Sequence, residues 1–260
     1  MNIVDIFILG VVEGITEFLP ISSTAHLEIA QHLLSIEIDD FIKSFQIAIQ
    51  FGAIMSVVFF YRKELLGASF IYLRNILIAF IPTGLIGFLL YKVIKSILFG
   101  NLFIVALTLF LGGLIIIFYE YKARGKTNDD SLKKIENLSV KELLILGSAQ
   151  ALAVVPGVSR SGAVIISGRI LGLPKTLITE FSFLLAIPTM FAATAYDLLK
   201  TGVSFTKGNW SDIIFGMTVS FIVAFIVIKW LLSYIQQHSF AIFGWYRIAL
   251  GFILIFLLYY

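Results

Sequence analysis

The sequence predicts an all-α integral membrane protein: six transmembrane helices plus two re-entrant helix–loop–helix hairpins, arranged as an inverted-topology repeat. Three observations carry that expectation. Hydrophobic residues make up 59% of the 260 and charged residues 13%, against about 45–50% and about 25% in soluble domains, so part of the apolar mass needs a bilayer as solvent. Six stretches are apolar over the roughly 20 residues that a helix needs to cross hydrocarbon. Two further apolar stretches are each interrupted in the middle by polar and backbone-freeing residues.

The first interrupted stretch, 3–34, is split at Pro20-Ile-Ser22-Ser23-Thr24. Each half is too short to span, and a lipid-exposed loop at that depth would leave backbone groups unsatisfied. The segment therefore reads as a hairpin buried in protein. Asp5 stands where a secretory signal would be basic, and Glu13 and Glu17 break the apolar run, so the segment is expected to be kept rather than cleaved. Spans are expected at 44–61, 71–91 and 98–119, with Tyr near their ends as interfacial belts require. A long polar loop, 120–142, follows. The second interrupted stretch, 143–173, is split at Pro156-Gly-Val-Ser159-Arg160-Ser161-Gly162, and spans follow at 177–199, 213–235 and 241–260.

A hairpin returns to its own side, and three spans cross an odd number of times. The second half must then start on the opposite face, which gives an inverted repeat. One membrane domain, 1–260, divides into a first repeat, 1–119, the loop 120–142 and a second repeat, 143–260. The loop carries Lys122, Arg124, Lys126, Lys133, Lys134 and Lys141, and Arg62, Lys63 and Lys175 fall on the same face. The other face carries Lys43, Lys92, Lys95, Lys200 and Lys207. The positive-inside rule puts the loop in the cytoplasm and both termini outside. A net charge of +3 gives no reason to expect nucleic acid, and the absence of cysteine excludes disulfides and thiolate metal sites.

The chemistry concentrates in the two breaks. Glu13 and Glu17 are four apart and share a helix face. Two carboxylates in an apolar hairpin repel and need a proton, an Arg or a hard cation between them. Ser22, Ser23 and Thr24 place hydroxyls at a helix start, where phosphate binds well, and His26 can act as acid, base or nucleophile. In the second break, Gly157 and Gly162 permit close backbone approach, and Ser159 and Ser161 add hydroxyls. Arg160 is a permanent cation at membrane depth whose planar fork suits phosphate oxygens. Gln150 resembles a neutral counterpart of the two carboxylates, and Gln46 and Gln50 could line the same cavity. Arg169, Glu180, Asp197 and Arg247 read as structural pairs or interfacial anchors, and His32 and His238 as ordinary segment-end residues.

The two motifs, Glu13-Gly-Ile-Thr-Glu17-Phe-Leu-Pro-Ile-Ser-Ser-Thr-Ala-His26 and Pro156-Gly-Val-Ser-Arg-Ser-Gly162, resemble those of the bacterial undecaprenyl-diphosphate phosphatase, or bacitracin-resistance, family. Phe181-Ser-Phe-Leu-Leu-Ala-Ile-Pro188 also resembles it, and the resemblance covers essentially the whole chain. Ala25 departs from the family's usual glycine. The resemblance implies hydrolysis of undecaprenyl diphosphate to the monophosphate and inorganic phosphate, which recycles the carrier lipid for cell-wall polymers and confers bacitracin resistance. It also implies a divalent cation, Mg²⁺ or Ca²⁺, held by Glu13 and Glu17. The site is expected to open to the outer face of the bacterial plasma (inner) membrane. Glu13, Glu17, Ser23, His26 and Arg160 take the catalytic positions, with Ser22, Thr24, Ser159, Ser161 and Gly162 binding phosphate. Expected partners are the polyprenyl diphosphate and membrane lipid, no nucleic acid, and there is room for a homodimer. The nucleophile stays open between Ser23 with His26 as its base, His26 itself and water. The alternative function is a transporter or flippase of a polyprenyl phosphate lipid, which broken helices also suit. A histidine-nucleophile lipid phosphatase of the other class fits poorly, since the only histidine after Arg160 is His238.

Overall fold

The computed structural model describes residues 1–37, 39–93, 101–123, 133–201 and 207–259. Among them the chain forms only helices: α1 (Ile3–Thr16), α2 (Ser23–Leu33), α3 (Asp40–Phe60), α4 (Arg62–Leu66), α5 (Phe70–Val93), α6 (Leu102–Lys122), α7 (Val140–Ala151), α8 (Arg160–Ile170), α9 (Lys175–Thr201), α10 (Lys207–Gln237) and α11 (Ala241–Tyr259). Six contain stretches long and apolar enough to cross a membrane: Phe41–Phe60, Phe70–Leu90, Leu102–Lys122, Lys175–Tyr196, Trp210–Gln237 and Ala241–Leu258. The protein is a multi-pass membrane protein. These stretches coincide with the six expected spans to within a few residues. The expected start of the third span, Leu98, lies outside the described residues, as do Lys95, Arg124 and Lys126 and the side chains of Lys92, Asp197, Lys200 and Lys207.

The helix ends follow local rules. Asn2 and Asp5 form a capping box at the start of α1, so Asp5 is a structural cap. Ser139 and Glu142 form another at the start of α7, and Lys133 joins it at 2.6 Å from Glu142. Burial pushes the Glu142 carboxyl up, but the Lys133 ammonium and the Ser139 N–H and hydroxyl outweigh it and hold Glu142 below its ordinary range. Asp39 caps α3 and Asn101 caps α6.

The long helices turn bulky apolar side chains outward. Leu77, Phe88, Phe118, Ile226 and Phe252 are each more than half exposed, a surface suited to lipid and not to water. Of the five shorter helices, α1, α2, α7 and α8 lie among them: α1 packs on α10 and α2, and α8 packs between α7 and α9. Around them α3 packs on α10, α5 on α7, and α6 on α11. The main core joins α3, α5, α7, α8 and α9 around Phe18, Phe181 and Phe183, with Phe18 and Phe183 edge to face at 5.1 Å.

Candidate active site

The two interrupted stretches meet at their breaks. The Leu19 carbonyl accepts hydrogen bonds from Ser161 Oγ at 3.0 Å and from Ser159 Oγ at 3.4 Å. Gly162 faces Pro20 so closely that an added Cβ would lie 3.3 Å from the proline Cβ. Arg247 of α11, only 2% exposed, fastens both breaks from behind. Its guanidinium donates to Pro20 O at 3.2 Å and to Gly157 O at 3.0 Å, and to the α6 carbonyls of Thr108 and Leu109 at 3.1 and 3.4 Å. Thr108 Oγ1 also donates to Pro156 O at 2.7 Å. Gly157 sits at φ +84°, and a Cβ there would collide with the Thr108 side chain, so only glycine fits this position.

Within this frame Glu17 joins the two breaks chemically. One carboxylate oxygen accepts from Ser23 Oγ at 2.5 Å, and the other accepts from Arg160 Nη2 at 3.0 Å. Arg160 Nη1 donates to Ser182 O at 3.0 Å, while its Nε–H is buried without a partner. A buried unpaired donor on a cation is a ready anion contact. The Glu17 N–H bonds Glu13 O at 3.0 Å, which sets the two carboxylates one turn apart on a single face. Both Glu13 oxygens are fully buried with no hydrogen-bond partner, an arrangement that fits a proton or a hard cation. Among the described residues no group of three or more His, Asp or Glu side chains is placed to hold a metal. A cation there would therefore take the two glutamates and complete its shell with water or substrate oxygens.

A cavity of about 200 Å³ opens onto this arrangement. Glu17, Ser22, Ser23, Thr24, Ser159 and Arg160 line it. Ser22 holds φ +73° as the N-cap of α2, and Ser159 caps α8 by accepting from Gly162 N at 3.1 Å. Two helix N-termini thus bring polarised N–H groups to the breaks. Gly162 and Ser161 support this frame from behind. Glu13 and His26 are not among the lining residues.

The cavity also has a neutral wall of Gln50, Thr83, Gln150 and Thr189. Thr83 Oγ1 donates to Gly147 O at 2.9 Å and Thr189 Oγ1 donates to Leu185 O at 2.8 Å. Both hydroxyls have spent their protons, so they accept from Gln150 Nε2, at 3.0 and 2.9 Å. That fixes which end of the amide is nitrogen. Gln50 lines the cavity as expected, and Gln46 does not. Thr83 and Thr189 were not singled out in the sequence, although Ile-Pro-Thr occurs at both 81–83 and 187–189 and marks them.

His26 stands apart from the pairing expected of it. Its Nδ1 lies 2.7 Å from Ser22 O and its Nε2 2.7 Å from the Tyr246 hydroxyl; the Ser23 hydroxyl is engaged by Glu17. Tyr246 and Arg247 supply contacts that the sequence reading did not foresee. Arg247 is an anchor, as expected, but its partners are carbonyls. Arg169 Nη1 binds Leu173 O, and Lys175 binds the carbonyls of Ile235 and His238. His238 stacks on Tyr234 at the end of α10. Glu180 lines a different cavity, of about 630 Å³, with Tyr61, Glu64, Tyr72, Lys133 and Glu136. Four helices put buried apolar side chains between the two cavities: Ile54 and Val57 of α3, Ile76 and Ala79 of α5, Leu143 and Leu146 of α7, and Phe181, Leu184 and Leu185 of α9.

Comparison with known proteins gives consistent matches. A family profile described as bacitracin resistance protein BacA matches residues 6–253. A protein of Aquifex aeolicus called undecaprenyl-diphosphatase is 50% identical over 244 residues, 94% of each chain. One of the same name from a Sulfurihydrogenibium species is 47% identical over 251 residues, 96% of this chain and 97% of the relative. Another, from Thermus thermophilus, is 42% identical over 250 residues, 95% and 94%.

Proposed function

The chain belongs to the bacitracin resistance protein BacA family, and from that membership we propose that it is a membrane phosphatase that hydrolyses undecaprenyl diphosphate to undecaprenyl phosphate and inorganic phosphate. That reaction returns the carrier lipid to cell-wall polymer synthesis and gives resistance to bacitracin. The substrate comes from the names of the relatives, and those names do not favour transport as the alternative. The observation that carries the chemistry is Glu17, whose two oxygens hold the Ser23 hydroxyl and the Arg160 guanidinium side by side.

Ser23 is the nucleophile in this reading. Its Oγ attacks the terminal phosphorus while its proton passes to Glu17, which replaces His26 as the adjacent base. The bond from phosphorus to the bridging oxygen breaks and the lipid monophosphate leaves. Charge spread over the transferred group is met by the free Nε–H of Arg160 and by the N-termini of α2 and α8. Ser22, Thr24, Ser159 and Ser161 bind or orient the phosphate, and Gly162 lets the two breaks close. Glu17, once it has passed the serine proton to the departing monophosphate, takes one from the water that releases phosphate from Ser23, and His26, whose ring nitrogens are engaged by Ser22 O and the Tyr246 hydroxyl, holds the start of α2. Glu13 and Glu17 would hold a divalent cation, Mg²⁺ or Ca²⁺, whose chemistry is to neutralise phosphate charge.

The finer topology belongs to the same proposal. Helices α1 and α2, and α7 and α8, are two re-entrant hairpins of an inverted repeat, 1–119 and 143–260, in the bacterial plasma membrane. The loop 120–142 is cytoplasmic, and the termini and site face outward. The short helices, their meeting breaks and the basic loop support it.

Phosphate release from long-chain polyprenyl diphosphate by purified protein tests the activity. Ser23→Ala is expected to bind substrate but lose at least about 10²-fold in rate, and Glu17→Gln to lose as much. Rapid quench is expected to trap phosphate on Ser23. A Ser23→Ala rate close to wild type eliminates the serine as nucleophile.

A further inference from the structure

We propose that the larger cavity is a second binding site, for an organic cation: an aliphatic amine with two or more ammonium groups, held by Glu64, Glu136 and Glu180 around the Tyr61 hydroxyl. The proposal is independent of the reaction in the smaller cavity.

The walls of this cavity are fixed by contacts of their own. Asn75 of α5, with no exposed surface, donates from Nδ2 to Ile135 O at 2.9 Å and to Glu136 O at 3.4 Å. That ties the stretch before α7 to the helix that carries Tyr72. Lys175 Nζ donates to the carbonyls of Ile235 and His238 at 2.7 and 3.0 Å. That ties the start of α9, which carries Glu180, to the end of α10. A volume of about 630 Å³ lies within the range of small-molecule sites, about 300–1,000 Å³.

The charge of the lining selects a cation. Lys133 is engaged by Glu142 at 2.6 Å, which leaves Lys134 against the carboxylates of Glu64, Glu136 and Glu180. Among the described residues no ion pair or hydrogen bond engages any of those three carboxylates. Tyr61 is a separate sign of a missing ligand. It is 6% exposed, and its hydroxyl is buried without a hydrogen-bond partner. Glu180, Tyr72 and Glu64 all act on that hydroxyl electrostatically, so it faces the same lining. A phosphate group has the wrong sign for such a wall. A single metal ion has the wrong shape, because among the described residues no three carboxylates are gathered closely enough to hold one. A flexible amine with separated ammonium groups reaches carboxylates that stand apart. Each ammonium brings three donors, so one donates to a carboxylate and to Tyr61 Oη together, and the rings of Tyr61 and Tyr72 offer π faces to the charge.

The test is isothermal titration calorimetry of spermidine into the purified full-length protein in non-ionic detergent, with butylamine, Mg²⁺ and inorganic phosphate as comparison ligands. One saturable site per chain is expected for spermidine. Butylamine, with a single ammonium, is expected to bind at least about tenfold more weakly, the worth of one charge-assisted hydrogen bond. Glu180→Gln and Tyr61→Phe are each expected to weaken spermidine binding about tenfold, with the Tm of the free protein unchanged. Glu64→Gln, at an exposed position on α4, is expected to do the same, and it keeps the test decisive where either of the other variants fails to fold. An absence of saturable binding, equal binding of butylamine, tighter binding of Mg²⁺ or phosphate, or an unchanged spermidine affinity in the folded variants would overturn the proposal.

Discussion

Because Glu17 gives one oxygen to a hydroxyl and the other to a guanidinium, neighbouring substitutions should fail in different ways. Arg160→Lys keeps a positive charge, but its three N–H donors radiate from one nitrogen and cannot span Glu17, Ser182 O and phosphate as the separate nitrogens of the planar fork do. It is expected to lose about 10²-fold in rate, and Arg160→Ala should in addition weaken substrate binding, read as a rise in KM. Glu13→Gln removes the carboxylate that has no hydrogen-bond partner, and should raise the divalent metal concentration at half-maximal activity. An unchanged metal titration would make Glu13 structural. At this scale the sequence was informative about identities and poor about partners. Glu17, Ser23 and Arg160 stood out as polar groups at membrane depth. The base next to Ser23 was expected to be His26, three residues along the same helix, but a turn in the chain brought Glu17 there instead. The contact of Tyr246 with His26 could not be read at all, since it joins helices at opposite ends of the sequence.

Hydropathy reads long helices well because length and apolar content are properties of one segment. It places the six spans nearly where they lie. Breaks inside apolar stretches are also legible, through Pro20 and through Pro156-Gly157. What fastens two breaks together is not, because it depends on a third element. Arg247 was visible as a charge within an apolar span, yet only the packing of α6 on α11 shows that it serves four carbonyls. Replacing it with Met leaves the Pro20 and Gly157 carbonyls of the breaks without that donor, at a cost of about 1–3 kcal/mol for each one left unsatisfied, whereas the Thr108 and Leu109 carbonyls keep their intrahelical bonds within α6. Arg247→Met is therefore expected to lower the thermal midpoint in detergent clearly, and Gly157→Ala to do so by strain at positive φ. Midpoints equal to wild type for both would mean that the breaks hold each other without the clamp.

For the molecule as a whole, the absence of cysteine makes topology directly measurable, since any introduced thiol is the only one. Single cysteines at Ile3 and Leu33, at the outer ends of α1 and α2, are expected to react with a membrane-impermeant maleimide in intact cells. Single cysteines at Lys141 and Ile170, at the ends of α7 and α8, are expected to react only after permeabilisation. Labelling of Ile3 and Leu33 from opposite sides would show that α1 and α2 cross the membrane together instead of folding back. The apolar band that four helices place between the two cavities has a consequence for how the enzyme empties. A hydrated anion such as phosphate cannot pass a dry layer of Ile, Leu and Phe side chains. That closes the way to the larger cavity, so inorganic phosphate is expected to leave by the mouth through which the lipid headgroup came in, which would make turnover vectorial. In sealed proteoliposomes, phosphate should then collect only on the face where the smaller cavity opens, and phosphate supplied on that face alone should inhibit.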